Sequence, residues 1–322
     1  MEMSKDSFKT FLKEGMLPIA MIAGASAYLV YHFVPALQPL GPVCNRIASD
    51  GQRLVIAALL FFQFVKTSPH DLKLHRWHLY LLLFQCLTFI LAGFLVARTQ
   101  EHEIRILLEC AMLCFICPTA SAAGVITERL GGDLHGTVTY VLLVNLAATL
   151  LIPTVIPMVR PSGMHTFWQY VLVLARRIFP LLIGPCLVAW VIRYTTKKLQ
   201  RALMRWSGNS FYIWGIGLFL AILLATKALI HSHLSVGTVT CIVLVSLACT
   251  AVQFLFGRKS GRTHIEKITA GQALGQKNTG FLIWLGYTYM TPVTSIAGGL
   301  YAIWQNLFNS WELYRHEHGK EI

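Results

Sequence analysis

The chain has 322 residues, of which 55% are hydrophobic and only 13% charged, and its mean hydropathy is +0.59. A soluble domain can neither bury nor expose that much apolar surface, so the composition excludes a soluble protein and points to an integral membrane one. The formal net charge of +13 invites a nucleic-acid partner, but the basic residues lie in loops between apolar runs. Membrane orientation and anionic lipid account for them, and no nucleic-acid role is read from them.

Apolar runs separated by short polar stretches recur along the whole chain without a linker or low-complexity segment, which makes 1–322 one membrane domain. Lys5, Lys9 and Lys13 precede the first run, and Ala25-Ser26-Ala27 resembles a signal-peptidase site. The run continues to Val34, longer than the roughly 7 to 15 apolar residues of a signal peptide, so a retained first span is expected. At about 20 residues per span, the candidates are 17–37, 54–66, 77–97, 104–129, 136–158, 177–194, 211–230, 236–257, 263–290 and 293–314, the second being short.

Two of these spans are interrupted, each the fourth of its five: one at Cys117-Pro118, the other at Gln276-Lys277-Asn278-Thr279 between Gly275 and Gly280. An odd number of spans per half inverts the second half against the first, so 17–158 and 177–314 read as two inverted repeats of an all-α, ten-helix transporter. Lys and Arg concentrate in the loops on the N-terminal side, at Lys66, Lys73, Arg76, Lys197, Arg201, Arg258 and Lys259 among others. Both termini are therefore expected in the cytoplasm and the protein in the inner membrane. Between the sixth and seventh spans, Lys197, Arg201 and Arg205 share one helical face and Leu199, Leu203 and Trp206 another. That pattern fits a short helix on anionic headgroups, and a solvated basic loop is the other reading.

The breaks carry the chemistry. A lysine at mid-membrane depth costs roughly 2.5 to 3.5 kcal/mol on insertion scales, so Lys277 should face protein or a watery cavity and is read as functional. A structural tie across the break is the alternative. Pro118 disfavours helix through Cys117, so a new helix is expected to start there, with Thr119 and Ser121 in its first turn. Asn278 and Thr279 would open a second half-helix, and two such N-termini at mid-membrane form an anion site, while the preceding half-helices offer carbonyl ends to a cation.

These same residues resemble those of the bile acid:sodium symporter family. The stretch Cys117-Pro118-Thr119-Ala120-Ser121-Ala122-Ala123-Gly124-Val125 is similar to that family's fourth-helix Cys-Pro-Gly-Gly signature, and Gly275-Gln276-Lys277-Asn278-Thr279-Gly280 to its ninth-helix Gly-x-Gln-Asn-Ser-Gly. Ala302-Ile303-Trp304-Gln305-Asn306 fits its tenth helix and Lys66-Thr67-Ser68-Pro69 the turn after its second. The resemblance implies a core domain holding two crossed broken helices, a panel domain moving against it, and an organic anion such as a bile, keto or hydroxy acid as cargo. It also implies that Ser121, Asn278 and Asn306 touch that cargo.

The family's sodium ligands are largely missing. Its Ser-Asn pair is replaced by Ala123 and Gly124, its fifth-helix Thr by Val141 and its ninth-helix Glu by Ala273. Thr137 and Gln85 keep an oxygen, and the remaining Gln ligand has become Lys277. Hard cations need oxygen cages, so sodium coupling is not expected, and the Lys277 ammonium held by Gln85 takes the sodium's place; protons are the possible coupling ion. In the expected site Thr119, Ser121, Asn278 and Thr279 hold the anion, while Gln85, Thr137, Asn145 and Asn306 line the cavity. For Asn145 a bond to a neighbouring helix is the competing reading.

Other signals are weaker. Cys86, Cys110, Cys186, Cys241 and Cys249 sit in apolar runs and Cys114-x-x-Cys117 lacks a second ligand pair, so the cysteines read as packing residues. Glu109, Glu128 and Glu266 fall near helix ends where charges reach water. No phosphate loop or His-Glu-x-x-His motif occurs, and no cofactor is expected. Two other function classes remain open: a transport-inactive sensor that binds the anion, and an intramembrane hydrolase pairing Ser121 with Lys277.

Overall fold

Lipid offers backbone N–H and C=O groups no partners, so apolar runs of this length must satisfy them internally. The computed structural model describes residues 5–163 and 165–319, and among them the chain is helical throughout, with no strand. In order the helices are α1 (Lys5–Phe33), α2 (Gly41–Lys66), α3 (Arg76–Arg98), α4 (His102–Ile116), α5 (Ala123–Arg129), α6 (Leu134–Val159) and α7 (Phe167–Leu182). There follow α8 (Gly184–Thr195), α9 (Lys197–Trp206), α10 (Ser210–Ile230), α11 (Val236–Ser260), α12 (His264–Gly275), α13 (Thr279–Tyr289) and α14 (Ser295–Glu317).

Among the described residues, five helical segments are long and apolar enough to cross a membrane: Pro35–Lys66, Arg76–Arg98, Leu134–Val159, Lys197–Ile230 and Val236–Ser260. The pair α7 and α8, bent by 42°, makes a sixth when taken as one span. The expected span 177–194 is this pair. Its first helix starts earlier than expected, at Phe167, because Thr166 and Gln169 form a capping box. Arg176 and Arg177 lie inside that helix rather than at its edge, and the bend falls beyond Pro180, at Ile183 before Gly184-Pro185.

The second span also differs. The charges at Arg46, Asp50 and Arg53 read as a loop before 54–66, but α2 runs through them from Gly41. Asp50 pairs with Arg46 at 3.7 Å and with Arg53 at 2.5 Å, one helical turn away on either side. Such pairs support a helix at its polar end.

The core lies where α4, α6, α11, α13 and α14 meet, around Phe281, Trp284, Tyr301 and Cys114, all nearly inaccessible. Helix α12 starts at a capping box of Thr263 and Glu266 and packs on α11 with backbone nearly touching backbone. A Cβ on Gly257 would stand 2.4 Å from the Ala270 carbonyl oxygen. Close approach of this kind is how membrane helices gain packing without a hydrophobic drive.

Glu109 is not at a watery helix end as the sequence suggests. It is fully buried, and Arg160 reaches it through Nη2 at 3.1 Å and Nε at 3.2 Å, while the Thr291 N–H donates at 3.1 Å. The carboxylate thus ties α4 to the end of α6 and to the chain after α13. Glu312 is buried likewise, with Arg258 at 3.0 Å and the Gln272 amide donating to it. Buried charges persist when paired and hydrogen-bonded in this way. Glu128 is exposed and Glu266 partly so, as expected.

Candidate functional site

The two interruptions meet. Helix α4 ends at Ile116 and α12 at Gly275, and the extended segments that follow lie side by side, with Thr119 and Lys277 as an antiparallel bridge. Asn278 N–H donates to the Pro118 carbonyl at 2.8 Å and Ala120 N–H to the Gln276 carbonyl at 3.1 Å. Each break thereby supplies what the other lost, as buried backbone requires.

The carbonyl ends of the preceding half-helices can be followed one by one. In α12 the Ala273 carbonyl would normally accept from Lys277 N–H, but that N–H donates to Gln305 Oε1 at 2.8 Å. Thr119 Oγ1 fills the vacancy, donating to the Ala273 carbonyl at 2.6 Å, and Tyr301 donates to the Gly275 carbonyl at 2.7 Å. In α4, Pro118 has no N–H to give Cys114, and Gln253 Nε2 donates there instead at 3.3 Å. Gln85 Nε2 serves the Ile116 and Cys117 carbonyls at 3.2 and 3.1 Å. The carbonyl ends expected to attract a cation are therefore occupied by neutral side chains from α3, the extended segment before α5, α11 and α14.

Lys277 is fully buried and its Nζ donates to Gln85 Oε1 at 3.0 Å; Tyr140 OH donates to the same oxygen at 2.9 Å. The expected pairing of Lys277 with Gln85 is thus made, and it reaches the α4 terminus only through Gln85. Ser121 and Lys277 both line the recess beside the crossing, and among the described residues no hydrogen bond joins them.

Around Ala123, Gly124, Val141 and Ala273 the space holds hydrocarbon. Ala123, Val141 and Ala273 are fully buried, and a Cβ on Gly124 would stand 2.8 Å from Leu134 Cδ1. Thr137 keeps its hydroxyl but spends it on the Asp133 carbonyl and Thr127 Oγ1, each at 3.1 Å.

A cavity opens beside the crossing, enclosing about 60 Å³ within a wider, solvent-open recess of about 620 Å³. Ser121, Asn278, Thr279 and Asn306 line it. Asn278 also caps α13, its Oδ1 accepting from Phe281 N–H at 3.2 Å. Thr119, Gln85, Thr137 and Asn145 do not reach the cavity. Thr119 is fully buried against α12 for the reason given above, and Asn145 is fully buried with both amide atoms unpartnered. Nor does a helix begin at Pro118: the chain stays extended or in turns until α5 starts at Ala123, so Ser121 precedes the helix instead of opening it.

Gln52, Gln276 and Gln305 share the cavity wall; Gln276 and Gln305 stand in the motifs read from the sequence without a role at the site, and Gln52 is not read there at all. Gln52 was hidden by its neighbours, since Asp50 and Arg53 made its stretch look like a loop. It is 1% exposed, its Oε1 has no partner, and its Nε2 lies 2.5 Å from where a Cβ on Gly280 would be. Only glycine at the start of α13 allows that approach. The opposite wall is apolar, formed by Val55, Ile56 and Leu59 of α2 and Trp214 and Leu218 of α10. The site therefore offers a polar floor of amides, hydroxyls and one helix N-terminus, with the buried Lys277 amine behind it. The chain matches no family model and no curated protein.

Proposed function

We propose that the protein is a secondary carrier that moves a small organic anion across the cytoplasmic membrane by alternating access, without sodium. The observation that carries this reading is the crossing itself: two interrupted helices exchange backbone hydrogen bonds beside a polar cavity and hold a buried lysine. Irregular backbone at membrane depth is tolerated where it lines a cavity, and binding sites of secondary carriers are built there. On this reading α4 with α5, and α12 with α13, are the broken fourth and ninth spans of a ten-span chain in two inverted repeats, both termini being cytoplasmic. The likeness to the bile acid:sodium symporter family belongs to the same proposal.

The cargo's anionic head sits on the floor made by Asn278, Thr279, Ser121 and Asn306, with Gln52 as a further donor. Its body lies against Val55, Ile56 and Trp214. The recess narrows to about 60 Å³ beside the crossing and is open to solvent beyond it, so a small carboxylate head fits the floor. Lys277 supplies positive charge behind the floor when an anion is bound, and hydrocarbon at Ala123, Gly124, Val141 and Ala273 removes the oxygens a sodium ion would need.

Proteoliposome uptake over a series of short organic acids tests the reading, with sodium replaced by choline at constant ionic strength. Saturable uptake of at least one acid, equal in the two salts, is expected. Binding without uptake would make the protein a sensor, and a saturable sodium requirement would refute sodium independence.

A further inference from the structure

No Asp or Glu occurs between Asp133 and Glu266. Basic side chains in the middle of that stretch have no acidic neighbour along the chain, and several collect where α8 turns into α9. Arg193, Lys197 and Arg201, with Tyr194 and Gln200, line a recess separate from the central cavity. Among the described residues none of these three cations forms an ion pair. The first turn of α9 has no side-chain cap, so its backbone N–H groups add to the positive potential.

The surroundings are those of a membrane interface. Tyr194, Leu199 and Trp206 are 57%, 44% and 61% exposed, which places aromatic and aliphatic surface beside the cations. Such a mixture is costly in water and suited to the boundary between headgroups and acyl chains. The recess is also anchored to the transport machinery. Arg193 Nη1 donates to the Val65 carbonyl at 3.3 Å and Trp190 Nε1 to the Thr67 carbonyl at 3.2 Å, both at the end of α2. Trp206 stacks on Phe62 of the same helix with ring centroids 6.4 Å apart.

We propose that this recess binds the headgroup of an anionic phospholipid, with its phosphate held by Arg193, Lys197 and Arg201 and its acyl chains along the apolar rim. Guanidinium and ammonium groups converge on phosphate oxygens in the charge-assisted way that such esters favour. The apolar rim selects a lipid over free phosphate. Because α2 also carries Gln52, Val55 and Ile56, the bound lipid holds the element that forms one wall of the cargo cavity.

The test uses the full chain in detergent micelles with phosphatidylglycerol and phosphatidylcholine at equal concentration, the bound lipids being counted by native mass spectrometry. The parent protein should retain phosphatidylglycerol in preference. Lys197→Gln with Arg201→Gln should weaken that binding roughly thirtyfold, from about fivefold for each basic residue near an anionic headgroup. Both side chains are exposed, so the fold is kept, and Lys197→Gln alone carries the same test at about fivefold. A control, Lys259→Gln with Arg262→Gln, removes equal charge from other exposed positions and should leave binding unchanged. Equal losses in the two double variants would reduce the effect to general attraction and overturn the site. So would equal retention of both lipids by the parent. Competition by inorganic phosphate at the same concentration would overturn the lipid assignment.

Discussion

Gly280→Ala is the sharpest probe of the cavity floor. The new Cβ would lie 2.5 Å from Gln52 Nε2, about 1 Å inside van der Waals contact. The obstacle is the end of a flexible side chain, so α13 can stay where it is while the Gln52 amide retreats. Alanine in the first turn also favours helix over glycine by up to about 1 kcal/mol, and the thermal midpoint should change little. A displacement of about 1 Å is enough to break a hydrogen bond to the cargo, because the useful donor–acceptor range is only about 0.5 Å wide. A hydrogen bond to a charged group is worth about 1.5 to 3 kcal/mol, which is roughly 10- to 150-fold in Kd. Calorimetric titration of the purified parent and variant with the best-carried short acid measures it. Gln52→Leu should lose a similar amount, and the double variant no more than either single one, since both remove the same contact. Unchanged affinity in Gly280→Ala, or losses that simply add, would refute Gln52 as a donor to the cargo.

Two further substitutions test the frame around the site. Glu109→Gln removes the buried carboxylate that the partly exposed Arg160 reaches. Solvent screens the arginine left behind, so the loss should fall short of the roughly 3 to 5 kcal/mol of a wholly buried broken pair; it is read as a lower midpoint in thermal unfolding, and an unchanged midpoint would contradict the pairing. Gly257→Ala drives a Cβ to 2.4 Å from the Ala270 carbonyl oxygen, a backbone collision that no rotamer relieves. The variant should express poorly or aggregate on size-exclusion chromatography, and a monodisperse, fully stable variant would contradict the close packing of α11 on α12.

What the sequence discloses is the position of the breaks, because Pro118 and the Gln276-to-Thr279 run are out of place in lipid on chemistry alone. It also discloses the Asn278 cap and the Lys277–Gln85 pairing. The direction of Thr119 is not legible. It depends on which carbonyl of α12 goes unserved, and that depends on Gln305 taking the Lys277 N–H from another helix. The same holds for the carbonyl ends, whose partners Gln253 and Tyr301 lie far away in sequence. Gln52 and Glu109 escape sequence reasoning for one physical reason. Charge in a sequence signals water, whereas Asp50 and Arg160 show that an ion can be satisfied by its own neighbours. The boundary before Phe167 was lost the same way, at Arg176 and Arg177.

The central claim is that a buried ammonium beside the crossing binds an anion in place of sodium, and Lys277→Met tests it most directly. Methionine fills a similar volume without the charge, so a folded, monodisperse variant separates charge from packing. Uptake of the best-carried acid into proteoliposomes in choline medium should be saturable for the parent and absent for Lys277→Met, with binding lost as well. If Lys277→Met binds and carries the acid as well as the parent, the lysine is only a structural tie between α13's approach strand and Gln85, and the account of the site is wrong.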